Sequence, residues 1–563
     1  MFGWLMAKNI KSVPKEEGTI HKYQNYYLFA NFLNKFPEER IEYAGEELDC
    51  LFDGYIFDKK DIIARSGQSS WKDAFIDNCH KQVIPEEYRG AFCGYVMHHS
   101  SREIIGFTDH TGNKPAFYYC DKDRVLISSN LNYISRVMKQ EKIPVEIDEI
   151  AARYLLTFGS MIDDRTIIRN VKRILPGHMI VIKDGVVENR QYYSMDNTNR
   201  QNVSEDEAIE QIDQAFRNAV RREFEKDVEY GYRHLVDLSG GLDSRMVCWV
   251  AHDMGYTDQV NFTYCKSGYL DHKISEKIAL SLKHSYLFMP LDDAGWLLDL
   301  DEIVEKNMGA ALYNGITGGN RFLSLLDTSH FGIEHTGMVG DVIPSSFYAD
   351  ENVAYGRPEF GRHMYSQTLH YDYDTAILDG YKNQEIFALF TRGILGAASS
   401  YIIRQNYLET SSPFLDVDFL NTCLSLPFEY RKKHNIYLKW INAKYPEAAE
   451  FGWEKWGGVK PKASHIWLRR LVTLKRLAKM KLDSILGKED SDNMNPIEYW
   501  FAKDFSLQQY YYNYFEKAMA ESQATEQLKK DMEYLFQNGN ATEKGMVLTV
   551  LAAEKQYCEV SKL

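Results

Sequence analysis

The sequence predicts a mixed α/β protein: an N-terminal α+β sandwich, a doubly wound parallel sheet, and a helical C-terminal extension. Three observations carry this. At 563 residues the chain exceeds what one hydrophobic core organises. Residues 1 to about 195 alternate short apolar runs with turn residues, a strand-rich pattern with interleaved amphipathic helices. From Glu205 onward, strand-like and helix-like runs alternate regularly, the mark of a parallel sheet with crossover helices. The expected boundaries are 1–196, 205–464 and 465–563.

In the first part, Asp53 to Phe57, Ala91 to Met97 and Val125 to Ser129 read as strands, and Trp71 to Cys79 reads as a helix. Asn197 to Ser204 is polar and serves as the linker. Glu205 to Phe224 places Ile209, Ile212, Phe216 and Val220 on one helical face. His234 to Leu238 is a buried strand and Arg245 to Met254 a helix. Then come strand Gln259 to Cys265, helix Ser275 to Lys283, strand Ser285 to Pro290 and helix Ala294 to Met308. In such a sheet ligands bind beyond the carboxyl ends of the strands, where Ser239 and Cys265 fall. From His465 the pattern is helical and at first basic, with a polar linker at Glu489 to Asn495. A basic amphipathic helix suits a membrane surface or an acidic partner, and more often packs on its own domain with its charges solvated.

The formal net charge is −14. That balance argues against general nucleic-acid or anionic-membrane binding. The eight cysteines are scattered without a Cys-x-x-Cys pair, which implies reduced thiols and neither a disulfide framework nor a structural zinc site. No apolar run reaches membrane-spanning length and Met1 to Met6 is too short for a signal core, so the expected location is the cytoplasm.

Between strand and helix lies Leu238-Ser239-Gly240-Gly241-Leu242-Asp243-Ser244. Two glycines permit backbone angles closed to other residues, so successive N–H groups can converge on an anion, aided by the helix dipole. Ser239 and Ser244 add hydroxyl donors. Asp243 would repel bare phosphate, which implies a divalent cation between carboxylate and phosphate.

This stretch resembles the pyrophosphate-binding loop of the ATP pyrophosphatases, specifically the asparagine synthetase and β-lactam synthetase branch. The resemblance implies ATP as cofactor, held by Leu238, Ser239, Gly240, Gly241, Asp243 and Ser244. It also implies that Thr263 in Phe262-Thr263-Tyr264 lies against adenine. Asp271, opening the next helix, is either part of this site or a helix cap. Ile333 to Asp341 resembles the family's Ser-Gly-x-Gly-x-Asp, which assigns Gly337 to the cofactor and Asp341, with Asp243, to Mg²⁺. Three residues before Asp341 the family carries a glutamate or tyrosine with acid/base work; here stands Met338, which moves no protons. Tyr407 to Asp416 resembles Glu-x-Arg-x-Pro-Phe-Leu-Asp, with Ser411 in place of the arginine, and Glu409 is a candidate base or electrostatic support. Trp453 to Gly458 resembles the segment bearing the catalytic lysine, so Lys455 is expected over the α-phosphate, with Lys460 or Lys462 as alternatives in another register.

Arg89 to Phe92, Gly106 to Tyr119, Ser128 to Asn130 and Lys172 to His178 resemble the family's glutaminase domain, an N-terminal-nucleophile (Ntn) fold. The chemistry departs: Met1-Phe2-Gly3-Trp4 stands where the family reads Met-Cys-Gly-Ile, and phenylalanine attacks no amide. The domain is expected to be inactive, with Cys50 as an alternative nucleophile.

The expected function is an AMP-forming carbon-nitrogen ligase that adenylates a small-molecule or peptide carboxylate and passes it to an amine or ammonia. No nucleic-acid partner and no membrane span are expected, and a homodimer is possible. The second reading is a catalytically silent nucleotide-binding scaffold, motivated by Met338 and Phe2.

Overall fold

A computed structural model describes residues 2–23, 25–81, 87–315, 318–485 and 492–558. The expected linker at Glu489 to Asn495 lies outside the described residues up to 491.

The N-terminal part contains two six-stranded antiparallel sheets packed face to face. Alternation along the strands explains the layering. From Gly3–Lys8, Trp4 and Met6 turn inward to meet Leu51, Tyr95 and Ile180 of the other sheet. Leu5 and Ala7 turn outward under helices Leu131–Gln140 and Glu149–Phe158. On the far side Cys50, Phe52 and Phe92 pack under helices Lys59–Ser66 and Trp71–His80. Ser70 caps the latter by accepting from Asp73 N–H.

The second part holds a five-stranded sheet. Its spatial order is Ser285–Pro290, Gln259–Cys265, Arg233–Asp237, Phe331–His335, Glu409–Ser411, and every pairing is parallel. The strand order reverses between Arg233–Asp237 and Phe331–His335, so a crevice opens beyond their carboxyl ends. Helix Glu205–Glu229 enters through a capping box at Ser204 and Glu207 and buries Ile209, Ile212, Phe216 and Val220 as the spacing predicts.

Three details differ from the sequence reading. The expected helix Ala294 to Met308 is a short 3₁₀ turn, Gly295–Leu298, followed by Leu300–Asn307. The stretch Asn197 to Ser204 is pinned at one end, since Asn197 is buried and donates to Glu385 Oε2 at 2.7 Å. One segment, Gln384–Arg404, is apolar and long enough by composition to cross a membrane, but most of it is buried inside the protein.

Among the described residues beyond 496 four helices follow one another, and the last, Ala541–Tyr557, is buried along most of its length. It shares one apolar core with Glu149–Phe158 of the first part and Leu300–Asn307 of the second. The two parts are therefore joined through the C-terminal helix as well as through the chain between them.

Candidate active site

The site forms at the reversal of strand order. Leu238 is buried and its N–H continues the ladder to Phe262 O at 2.9 Å. The loop then closes on two serines: Ser239 N–H donates to Ser244 Oγ at 2.9 Å, the two hydroxyls lie 3.0 Å apart, and Gly241 N–H donates to Ser239 Oγ at 3.1 Å. Helix Asp243–Asp253 follows with Leu242 at its N-cap and no side-chain cap, so its first-turn N–H groups face the crevice without a side-chain acceptor at the N-cap.

The structure corrects the reason for the glycines. Neither Gly240 nor Gly241 adopts a left-handed φ. Gly240 is required by close approach, since a Cβ there would meet Asp271 Oδ1 at 2.9 Å and Glu454 Cβ at 3.0 Å. Its N–H is also taken, donating to Asp271 Oδ1 at 2.7 Å. Asp271 therefore does not cap its own helix; burial raises its carboxyl to about 6, and the Gly240 N–H opposes that rise.

Gly337 and Gly340 let the second loop lie directly on the helix start. A Cβ on Gly337 would sit 2.3 Å from Ser244 N, and one on Gly340 would sit 2.7 Å from Asp243 Cβ. This contact brings Asp341 beside Asp243. Burial, then the neighbouring Asp341 carboxylate, push the Asp243 carboxyl well above the ordinary range, while the Tyr437 hydroxyl, donating to Oδ1 at 2.9 Å, opposes them.

Lys455 completes the group. Its Nζ lies 3.6 Å from Asp341 Oδ2 and donates to His434 Nε2 at 3.1 Å. Burial, then the Lys455 charge, lower His434 to about 4, so its imidazole is neutral and accepts. His434 and Lys433 both take left-handed φ, 62° and 55°, a strained pair beside the crevice. Arg245, fully buried, fixes the lysine segment to the phosphate loop: its guanidinium donates to the carbonyls of Gly240, Ala448, Phe451 and Gly452. Glu454 N–H adds a bond to Gly240 O at 3.1 Å. Lys460 and Lys462 instead pair with Glu450. Sequence reading missed Arg245, His434 and Tyr437. Arg245 directly follows the loop and was open to notice, whereas the other two carry no local signal.

The remaining candidates lie outside this charged group. Thr263 is buried within strand Gln259–Cys265. Met338 packs against the apolar core, and its carbonyl accepts from Ser412 Oγ at 3.0 Å. Ser411 donates to Glu223 at 2.6 Å. Glu409 is buried where the two parts meet, with Oε1 2.7 Å from Lys114 Nζ. Burial disfavours the Lys114 charge, yet Asp53 and then Glu409 hold its pKa raised, so this carboxylate is committed to an ion pair.

Among the described residues one His/Asp group, Asp227, His234 and His335, brings its ligand atoms within 4.8 Å of one another. His335 lies between Asp227 (2.9 Å) and Glu223 (3.2 Å), which raise it to about 9 against the cost of burial. Both ring nitrogens of His335 are engaged by carboxylates, so the group reads as a buried charge network.

At the N-terminus, Phe2 presents an apolar side chain, and its carbonyl accepts from Asn130 Nδ2 at 3.0 Å. Cys50 is buried in the core beside Trp71 and Phe75, so its thiol does not face the N-terminal pocket of Phe2, Gly3, Asp53, Lys114 and Asn130.

The fold and site combine an N-terminal antiparallel sandwich with a parallel sheet whose crevice holds two carboxylates and one lysine. Residues 77–193 match the glutamine amidotransferase domain family. A curated relative, asparagine synthetase [glutamine-hydrolyzing] 1 of Bacillus subtilis (strain 168), is 24% identical over 229 residues, 40% of this chain and 34% of that protein. The chain thus spans about a third of that relative's length. Over these stretches the chain is similar to the glutamine amidotransferase domain family and to an asparagine synthetase. Among solved structures, the allosteric regulatory enzyme of purine biosynthesis aligns over 51% of this chain and 74% of its own, at 10% identity and TM-score 0.21. The glutamine phosphoribosylpyrophosphate amidotransferase of B. subtilis complexed with ADP and GMP aligns over 52% and 85%, at 11% identity and TM-score 0.21.

Proposed function

We propose that the protein is a Mg²⁺- and ATP-dependent synthetase that adenylates a carboxylate, releases pyrophosphate and passes the acyl group to an amine or ammonia, without hydrolysing glutamine. The observation that carries this reading is the convergence of Asp243, Asp341 and Lys455 at the reversal of strand order, beside the start of helix Asp243–Asp253.

The donor set fits magnesium. Asp243, whose pKa is raised by burial and then by the neighbouring Asp341, forms with it a hard-oxygen pair that a divalent cation relieves. When bound, Mg²⁺ supplies polarisation of the phosphate oxygens. The chain's own residues do the rest. The Ser239 and Ser244 hydroxyls and the helix start hold pyrophosphate, and the backbone about Leu238 and Thr263 holds adenine. The Lys455 ammonium neutralises charge developing at the α-phosphate. Tyr437 and Arg245 fix Asp243 and the lysine segment.

With Met338 apolar and Glu409 paired to Lys114, neither supplies a base, so the amine reacts in its unprotonated form. The carboxylate is a small molecule or a peptide side chain, and action in the cytoplasm completes the reading. The test is pyrophosphate release on incubation with Mg-ATP, a panel of carboxylates, and ammonia or amines. Tight Mg-ATP binding with no pyrophosphate from any pair supports instead a silent nucleotide-binding scaffold, the reading that Met338 and Phe2 favour.

A further inference from the structure

Helix Ile466–Ile485 does not do what its sequence suggests. Over twenty residues a helix extends about 30 Å. Among its described side chains only Leu468 and Val472 pack against the core, and Arg469 lies over the Trp456 ring at 4.7 Å. The outward face carries large apolar side chains in water: Trp467 is 63% exposed, Leu471 54%, Leu474 63% and Leu477 55%.

The pattern on that face is ordered. Trp467, Leu471, Leu474 and Ala478 recur at i, i+4, i+7 and i+11, a stripe about 60° wide at about 100° per residue. Arg470 and Lys475 project on its two sides, both exposed. From Ile466 to Leu482 the chain carries Arg469, Arg470, Lys475, Arg476, Lys479 and Lys481 and no Asp or Glu, in a protein whose net charge is −14. This stretch is therefore a local run of cationic charge uninterrupted by acids in an acidic protein.

We infer that this helix docks the protein onto the surface of an anionic lipid bilayer, with the Trp467–Leu471–Leu474 stripe in the headgroup boundary and the flanking cations on lipid phosphates. Charge complementarity selects this occupant. A straight, narrow stripe of Trp and Leu flanked by Arg and Lys needs a negative, shape-tolerant apolar surface, which a bilayer provides. The acidic body does not prevent it, because charges more than about 8 Å away are screened at physiological ionic strength. Net charge at the level of the whole sequence argued against anionic membranes; the local distribution reverses that for this face. The inference stands apart from the proposed ATP chemistry.

The experiment is co-sedimentation of the full chain with vesicles of phosphatidylcholine alone and of phosphatidylcholine with phosphatidylglycerol in equal parts. Binding is expected to the anionic vesicles only and to weaken with added salt. Each of Arg470→Gln and Lys475→Gln should weaken it about fivefold, the scale of one basic residue at an anionic surface. The double change Leu471→Glu with Leu474→Glu should abolish it, with unchanged thermal melting because both side chains are exposed. Lys517→Gln with Lys530→Gln, on other exposed helices, should bind as wild type. The inference is overturned by wild-type protein that stays in the supernatant, by equal binding to both vesicle types, or by stripe variants that bind like wild type. A soluble dimer that the stripe variant dissolves, with no vesicle binding, assigns the face to a second copy and likewise overturns it.

Discussion

The Lys455 ammonium sits 3.6 Å from Asp341 Oδ2, and Asp341 adds to burial in raising the pKa of Asp243. One cation thus faces two carboxylates, the arrangement on which the proposed Mg-ATP reading rests.

The carboxylate pair can be separated from its ligand. Asp243→Asn removes the repulsion and keeps an oxygen for Tyr437, so the ligand-free protein should melt about 2 °C higher or more. The same variant, and Asp341→Ala, should lose the stabilisation by Mg-ATP that wild type gains through preferential binding to the folded state. Thermal melts with and without Mg-ATP decide this. A variant that keeps the full Mg-ATP shift removes the metal assignment.

For Lys455 the expectation divides binding from chemistry. Lys455→Ala should keep ATP affinity within about tenfold and cut pyrophosphate release about 100-fold or more, the scale of one preorganised electrostatic group. Lys455→Arg should rescue only in part, because a planar fork does not replace a compact ammonium. Lys460→Ala should be close to wild type, since Lys460 is paired with Glu450. An inactive Lys460→Ala with an active Lys455→Ala would move the assignment by five residues.

Glutamine should not be hydrolysed. Phe2 offers no nucleophile, and Cys50 is buried in the core. Ammonia release from glutamine above a no-enzyme control would sink this, and Phe2→Cys is not expected to restore it.

His335 gives a pH signature of stability. Its folded pKa of about 9 lies above its unfolded value of about 6.5, so its contribution is complete below about pH 6.5 and is lost as pH rises through about 9. His335→Gln should therefore flatten the decline in stability between pH 7 and 10, read by urea unfolding at each pH. Parallel pH profiles for the variant and wild type would exclude His335 as the titrating group.

Much of the scaffold was open to the sequence because the relevant forces are local. Period-2 and period-3.6 apolar patterns specified strands Gln259–Cys265 and Ser285–Pro290 at their observed bounds, and the buried face of Glu205–Glu229. The family resemblance of Ile333 to Asp341 and of Trp453 to Gly458 singled out Asp341 and Lys455, which the fold brings beside Asp243.

What tertiary structure decided was everything set by contacts between distant segments. Gly240 turned out to be needed for packing against Asp271 and Glu454, not for a left-handed turn. Glu409 became the partner of Lys114 because the two parts of the chain close on it, and local sequence holds no record of that. His434 and Tyr437 entered the crevice through a strained turn far along the chain. Helix Ile466–Ile485 kept its amphipathic pattern in either case, but whether its apolar stripe met a core or water depended on where its first turns anchored. Periodicity fixes which residues share a face; only the fold fixes what that face meets, because burial is a property of the whole packing and not of the segment.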